Sequence, residues 1–319
     1  MRLIMFDAGF GPRFGALLDS RRALDLPGLA RHVGAHSDDP RDAALPALVP
    51  DDSVAFLRLG VTAYEAVQGL LARVACAEGD PASAAELALD RHIHTLDRIT
   101  LLAPVLAPEK IIGIGMNYRP STVGPEVRLP KNPLIFAKWN NTLVGPKQEI
   151  VVPQVSQEVD YEAELAVIIG RRAKNVSEVD ALDYVAGYTV ANDVTARDVQ
   201  AADRQWVRGK TSDTMSPLGP AIVTPDEIAD INNLQVRLWL NGEKLQDGNT
   251  EMLIFGIPTL VSFLSHSFTL QPGDVILTGT PAGVGFKREP QVFLKHGDRV
   301  RVSVDVLGEL DNPVVAEVV

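Results

Sequence analysis

Two glutamates alternate in Asp160-Tyr161-Glu162-Ala163-Glu164, and an aspartate stands further along in Val190-Ala191-Asn192-Asp193-Val194. Side chains at i and i+2 of a strand share a face. Glu162 and Glu164 are therefore predicted to point the same way, just before the apolar run Leu165-Ala166-Val167-Ile168-Ile169. Like charges at the edge of a core repel and are costly to bury unless something neutralises them. A hard divalent cation held by oxygen ligands does this. Asp193 follows the apolar stretch Tyr188-Thr189-Val190-Ala191 and precedes a helix start at Thr195-Ala196-Arg197-Asp198. That placement favours a ligand site over the alternative, a half-buried strand with a solvated polar face and a capping aspartate. Three carboxylates with no cysteine or histidine nearby point to Mg²⁺, Mn²⁺ or Ca²⁺ rather than zinc.

Arg197, Lys210 and Lys138 are the positive candidates, with Lys210 in a loop, Arg208-Gly209-Lys210-Thr211. A cation beside such a cluster can bind a substrate carboxylate or steady an enolate. In Thr278-Gly279-Thr280-Pro281-Ala282-Gly283 the glycines let backbone approach a ligand and Thr280 can donate to a carboxylate, the alternative being a tight turn. The histidines (His32, His36, His92, His94, His266 and His296) leave the stretch between 94 and 266 empty, so neither a catalytic triad nor a zinc signature emerges. Cys76, the single cysteine, is expected as a core thiol in a helix.

The elements that must position these residues read as α+β, predominantly β. Strands are predicted over residues 2–8, 14–18 and 23–26, then helices over 61–76 and 81–90. Beyond residue 109, strand-like runs dominate: 110–115, 134–137, 149–152, 163–170, 188–191, 235–241, 275–278 and 299–306. Short helices are expected at 178–185, 195–203 and 257–265. The lack of strand–helix alternation argues against Rossmann and TIM folds. A boundary near 100–108 divides a small N-terminal α/β domain, 1–105, from a larger one, 106–319. The 319 residues are 46% hydrophobic and 22% charged, with a net charge of −11. This is the balance of a globular chain, and it argues against nucleic-acid and anionic-membrane partners. No apolar run approaches the ~18 residues of a membrane span, and no signal-peptide pattern is present. A cytoplasmic location is the expectation.

With these residues assembled, 110–306 resembles the fumarylacetoacetate hydrolase family. The matching segments include Gly115-Met116-Asn117-Tyr118-Arg119, Ile135-Phe136-Ala137-Lys138, Val159 to Leu165, Ala191 to Asp198, Gln205 to Thr214, Pro217-Leu218-Gly219-Pro220 and Pro272 to Gly285. The resemblance implies a mixed β-roll catalytic domain and a homodimer. It also implies metal ligation by Glu162, Glu164 and Asp193, commonly of Mg²⁺, and places Lys210 on the family's active-site lysine. Arg197 and Thr280 fall on substrate-contacting positions, and Tyr118, Lys138 and Gly279 join them as expected substrate contacts. Family substrates are small 2-oxo or 2,4-dioxo acids whose keto-acid end chelates the metal, which stabilises an enolate.

One departure stands out. Hydrolytic relatives carry Asn-Tyr-x-x-His-x-x-Glu, whereas this chain reads Asn117-Tyr118-Arg119-Pro120-Ser121-Thr122-Val123-Gly124. Ser121 replaces the histidine, Gly124 replaces the glutamate, and Glu126 lies two residues late. A serine has no useful basicity near neutral pH. C–C bond hydrolysis of a fumarylacetoacetate- or acylpyruvate-type substrate remains the leading expectation, with Glu126, Lys210 or a distant histidine as base and Ser121 in the catalytic set. The alternatives are a keto–enol tautomerase, isomerase or decarboxylase, which asks less of this segment, and a catalytically silent metal- and ligand-binding protein. The stretch Gly285 to Lys295 resembles the branch that includes oxaloacetate tautomerases.

Overall fold

A computed structural model of the chain describes residues 1–120 and 129–318. The chain carries more strand than helix, as the sequence predicts. Among the described residues its main sheet has twelve strands. An antiparallel meander, Arg2–Asp7, Pro12–Leu17 and Arg22–Asp25, forms one end. Arg2–Asp7 then pairs with Ser216–Val223, setting Leu3 opposite Ile222. The order continues through Val185–Asn192, Ala163–Ile169, Val275–Leu277 and Ile111–Gly115 to the outer strand Leu134–Lys138. A separate five-stranded sheet contains Gln235–Leu240 and Arg299–Val304.

The run Leu165 to Ile169 is continuously apolar because its strand is covered on both faces. Leu165, Val167 and Ile169 pack with Val236, Leu238, Val300 and Val302 of the second sheet. Ala166 and Ile168 pack with Leu29, Val67 and Leu70 from the N-terminal helices. Among the described residues no single helix is long and apolar enough to cross a membrane.

Several local expectations are corrected. Asp160 to Glu164 is not one strand: Val159–Asp160 pairs with Thr195–Ala196, the chain breaks at Tyr161-Glu162, and Ala163–Ile169 begins afresh. Residues 178–185 form only a 3₁₀ turn, Ala181–Tyr184, before the strand that starts at Val185. The helix expected over 81–90 stops at Glu86, and Ala88 takes a positive φ of 48°. Lys210 ends a one-turn helix, Val207–Lys210, rather than lying in a loop. Cys76 is exposed on Val61–Ala77, off the face that buries Val67, Leu70 and Val74. Ser121, Gly124 and Glu126 lie outside the described residues.

Candidate functional site

The break at Tyr161-Glu162 sets the site. The Tyr161 ring is fully buried and anchors the turn. The Glu162 N–H donates to Asn192 Oδ1 at 3.0 Å, and the Asp193 N–H donates to the Glu162 carbonyl at 2.9 Å. Two strand ends are thereby locked together, so carboxylate oxygens of Glu162, Glu164 and Asp193 all lie within 4.8 Å of one another.

Three cations surround this cluster. Lys210 Nζ donates to Glu162 Oε2 at 2.8 Å and Asp193 Oδ2 at 2.5 Å. Arg197 donates from Nη2 to Glu162 Oε1 and from Nε to Asp160 Oδ2 at 2.9 Å. Lys138 Nζ donates to Asp193 Oδ1 at 2.6 Å and to the carbonyls of Met215 and Val194 at 2.8 and 3.1 Å. Burial pulls the Lys138 ammonium below its ordinary value despite Asp193. We assign it as charged because each of its three donors has an acceptor. Burial would lower Lys210 too, but Asp193 and Glu162 more than offset this and raise it. With those two partners Lys210 is held as an ammonium in the cation-free protein.

The three carboxylates are not equivalent. Burial disfavours ionised Glu162, but Arg197 and Lys210 outweigh it and hold the group low. Glu164 is pushed well above its ordinary value by burial and by the charges of Asp193 and Glu162. Its Oε2 accepts a single backbone bond, from the Gly279 N–H at 2.7 Å. The oxygen-only donor set and this under-compensated carboxylate fit a hard divalent cation, with Glu162, Glu164 and Asp193 the residues that would hold it.

A cavity of about 760 Å³ opens on this cluster. Glu162, Glu164, Arg197 and Lys210 line it, with Phe136, Trp206 and Phe286 as an aromatic wall. The Arg197 guanidinium stacks over Phe286 at 4.3 Å, and Lys210 Nζ sits 4.6 Å from the Phe136 ring centre. Tyr118 also lines the cavity, and its buried hydroxyl has no hydrogen-bond partner among the described residues. Burial, aided by Glu164, keeps that phenol protonated.

Other expected contacts fall differently. Thr280 lines the cavity, but its hydroxyl donates to the Ala163 carbonyl and accepts from Gln246 Nε2, each at 2.8 Å. Its proton is therefore committed, against the expectation that it donates to substrate. The Gly279 N–H is on Glu164, and Lys138 lies behind Asp193 outside the cavity lining. Sequence reasoning missed Asp160. Its Oδ1 accepts the N–H of Gly285 at 2.7 Å and of Tyr161 at 2.9 Å, and its Oδ2 holds Arg197. Its place beside Glu162 was the available signal, hidden because strand alternation puts it on the face of Glu162 and Glu164 without distinguishing a ligand from a support.

The family described as fumarylacetoacetate (FAA) hydrolase, C-terminal, matches residues 110–315. An oxaloacetate tautomerase of Xenopus laevis, named mitochondrial, is 44% identical over 319 residues, spanning 99% of this chain and 90% of that protein. The fumarylacetoacetate hydrolase of Exiguobacterium antarcticum superposes with a TM-score of 0.77 at 31% identity, covering 99% of this chain and all (100%) of that one. A maleylpyruvate hydrolase of Sphingobium sp. SYK-6, solved with manganese(II) and pyruvate, gives 0.74 at 32% identity with 100% of both chains covered. The cytoplasmic expectation is corrected by the Xenopus relative, whose name is mitochondrial. An acidic, cysteine-poor composition does not tell the two compartments apart.

Proposed function

Because this chain belongs to the fumarylacetoacetate hydrolase family of enzymes, we propose that it interconverts the keto and enol forms of a small 2-oxo acid of the oxaloacetate type. In the ketonising direction the enol O–H bond breaks, a C–H bond forms at carbon 3, the C2=C3 double bond becomes single as C2–O becomes C=O, and no C–C bond is cleaved. The observation that carries this reading is the placement of Lys210. It is a buried ammonium with two of its three donors on Glu162 and Asp193, and it lines the cavity wall. An ammonium so placed stabilises negative charge developing on a substrate oxygen. The described lining residues include no histidine that could activate a hydrolytic water. The Tyr118 hydroxyl, unpartnered among the described residues, is suited to donate to the same substrate oxygen. The similarity to an oxaloacetate tautomerase supports the reading.

The remaining assignments are part of the same proposal. Glu162, Glu164 and Asp193 hold Mg²⁺, which when bound supplies Lewis-acid polarisation of the 2-oxo acid. Arg197 keeps Glu162 ionised and shapes the cavity floor beside Phe286. Glu126, known here from sequence alone, carries the proton to carbon. The working form is a homodimer, with residues 1–105 and 106–319 as its two units.

Lys210→Met tests the central residue. Loss of an electrostatic stabiliser typically costs about 100-fold in kcat, so the variant, with its circular dichroism spectrum unchanged, should tautomerise oxaloacetate about that much more slowly. A folded variant with the wild-type rate would remove Lys210 from the chemistry.

A further inference from the structure

Four carboxylates meet at the site, Asp160, Glu162, Glu164 and Asp193, and three cations, Lys138, Arg197 and Lys210, are bound to them. All three are already engaged in ion pairs with those carboxylates. Two further cations line the same cavity, Arg119 and Lys287. Among the described residues neither pairs with a carboxylate, whereas Arg2, Arg22, Arg58, Arg73 and Arg299 each do. In a chain with 41 acidic residues against 30 basic ones, Arg119 and Lys287 place two positive charges, unpaired among the described residues, on the lining of one cavity.

Both are presented by pinned backbone. The Arg119 N–H donates to the Met252 carbonyl at 2.9 Å. Asn117, two residues before it, donates to the carbonyls of Phe255 and Thr278 at 3.0 and 2.8 Å and accepts from the Phe255 N–H. Lys287 closes the 3₁₀ turn Gly285–Lys287, whose first two N–H groups sit on the Asp160 carboxylate at 2.7 and 3.2 Å. Its ammonium lies 5.5 Å from the centre of the Phe286 ring, which Arg197 also covers. The acidic cluster is buried, while Arg119 and Lys287 are exposed at the cavity's outer part.

We propose that Arg119 and Lys287 form the subsite for the second carboxylate of the substrate, so that the cavity selects 2-oxo dicarboxylates over 2-oxo monocarboxylates. The inference rests on the reading of the site given above. A substrate whose 2-oxo acid end meets the buried cluster projects its other end toward the mouth, where these two charges stand. Arginine supplies a planar fork for a carboxylate and lysine a mobile point charge.

The test is calorimetric binding of oxaloacetate and of its 4-methyl ester, at fixed Mg²⁺, to the wild-type protein and to Arg119→Ala/Lys287→Ala. The wild type should bind the diacid at least tenfold more tightly than the ester. The double variant should lose most of that preference through weaker diacid binding, and Arg119→Lys/Lys287→Arg should keep it. A double variant that retains the full preference would overturn the proposal, as would a wild type that binds acid and ester alike. Parallel tautomerase assays keep the two claims apart. Lost preference in a protein with no wild-type turnover supports this subsite while refuting the tautomerase reading. Turnover with an unaltered preference does the reverse.

Discussion

Glu164 is the residue on which the cation proposal turns. Burial, Asp193 and Glu162 raise it well above its ordinary 4.5, and one backbone N–H is its only hydrogen-bond donor among the described residues. The cation-free protein therefore keeps a proton that a solvated glutamate would lose. A divalent cation needs the carboxylate, so its binding should release up to one proton. Its affinity should weaken as pH falls through Glu164's raised value and keep weakening below it. Titrating Mg²⁺ in two buffers of different ionisation heat measures that release, and an identical apparent enthalpy in both would contradict the assignment. At this scale the sequence was informative about types and spacing: Glu162, Glu164, Asp193, Arg197 and Lys210 do come together. It was uninformative about protonation and pairing. That Lys138 serves Asp193, and that Thr280 has no proton to give, depends on neighbours such as Met215 and Ala163, distant in the chain or bonded through backbone.

The elements position these groups through a few tight places. Gly279 has φ +104°, and an added Cβ would lie 2.9 Å from Asn117 Cβ and 3.1 Å from the Ile114 carbonyl. Side chains rarely adopt that backbone, which typically costs about 1–3 kcal/mol when forced. Gly279→Ala should lower the melting temperature and also weaken Mg²⁺ binding, because the N–H that orients Glu164 moves. Differential scanning calorimetry with and without Mg²⁺ checks both, and an unchanged Mg²⁺-dependent gain in melting temperature would show that this N–H does not order the cluster. The strands around the site were legible because β-branched runs such as Val167 to Ile169 are buried on both faces. The helix Leu26–His36 was missed. Its start is marked by the Asp25 carboxylate accepting from the Gly28 N–H at 2.9 Å and by Pro27, signals that a preceding strand, Arg22–Asp25, masks. Ser53–Leu59 was missed for a similar reason: its Asp52 cap is local and its apolar stretch is too short to show a period.

At the scale of the whole molecule, the N-terminal meander extends the sheet that carries the site, and the opposite end of that sheet is uncovered by any other strand among the described residues. Among the described residues the outer strand Leu134–Lys138 has one neighbour, Ile111–Gly115. Trp139 and Met116 beside it are 57% and 64% exposed. An unpaired apolar edge invites association, and a two-fold axis would set the same patch against itself. Sedimentation should therefore give twice the 34.4 kDa chain mass, and Trp139→Glu should shift it toward monomer. A wild-type monomer would remove the dimer from the account. The central claim, enol–keto exchange without cleavage, is tested most directly by mixing the purified protein with Mg²⁺ and enol-rich oxaloacetate. Enol absorbance is followed, and the products are then identified by NMR. The account predicts decay faster than with Mg²⁺ alone and oxaloacetate as the only product. Pyruvate released in step with the decay, or decay no faster than with Mg²⁺ alone, would contradict it.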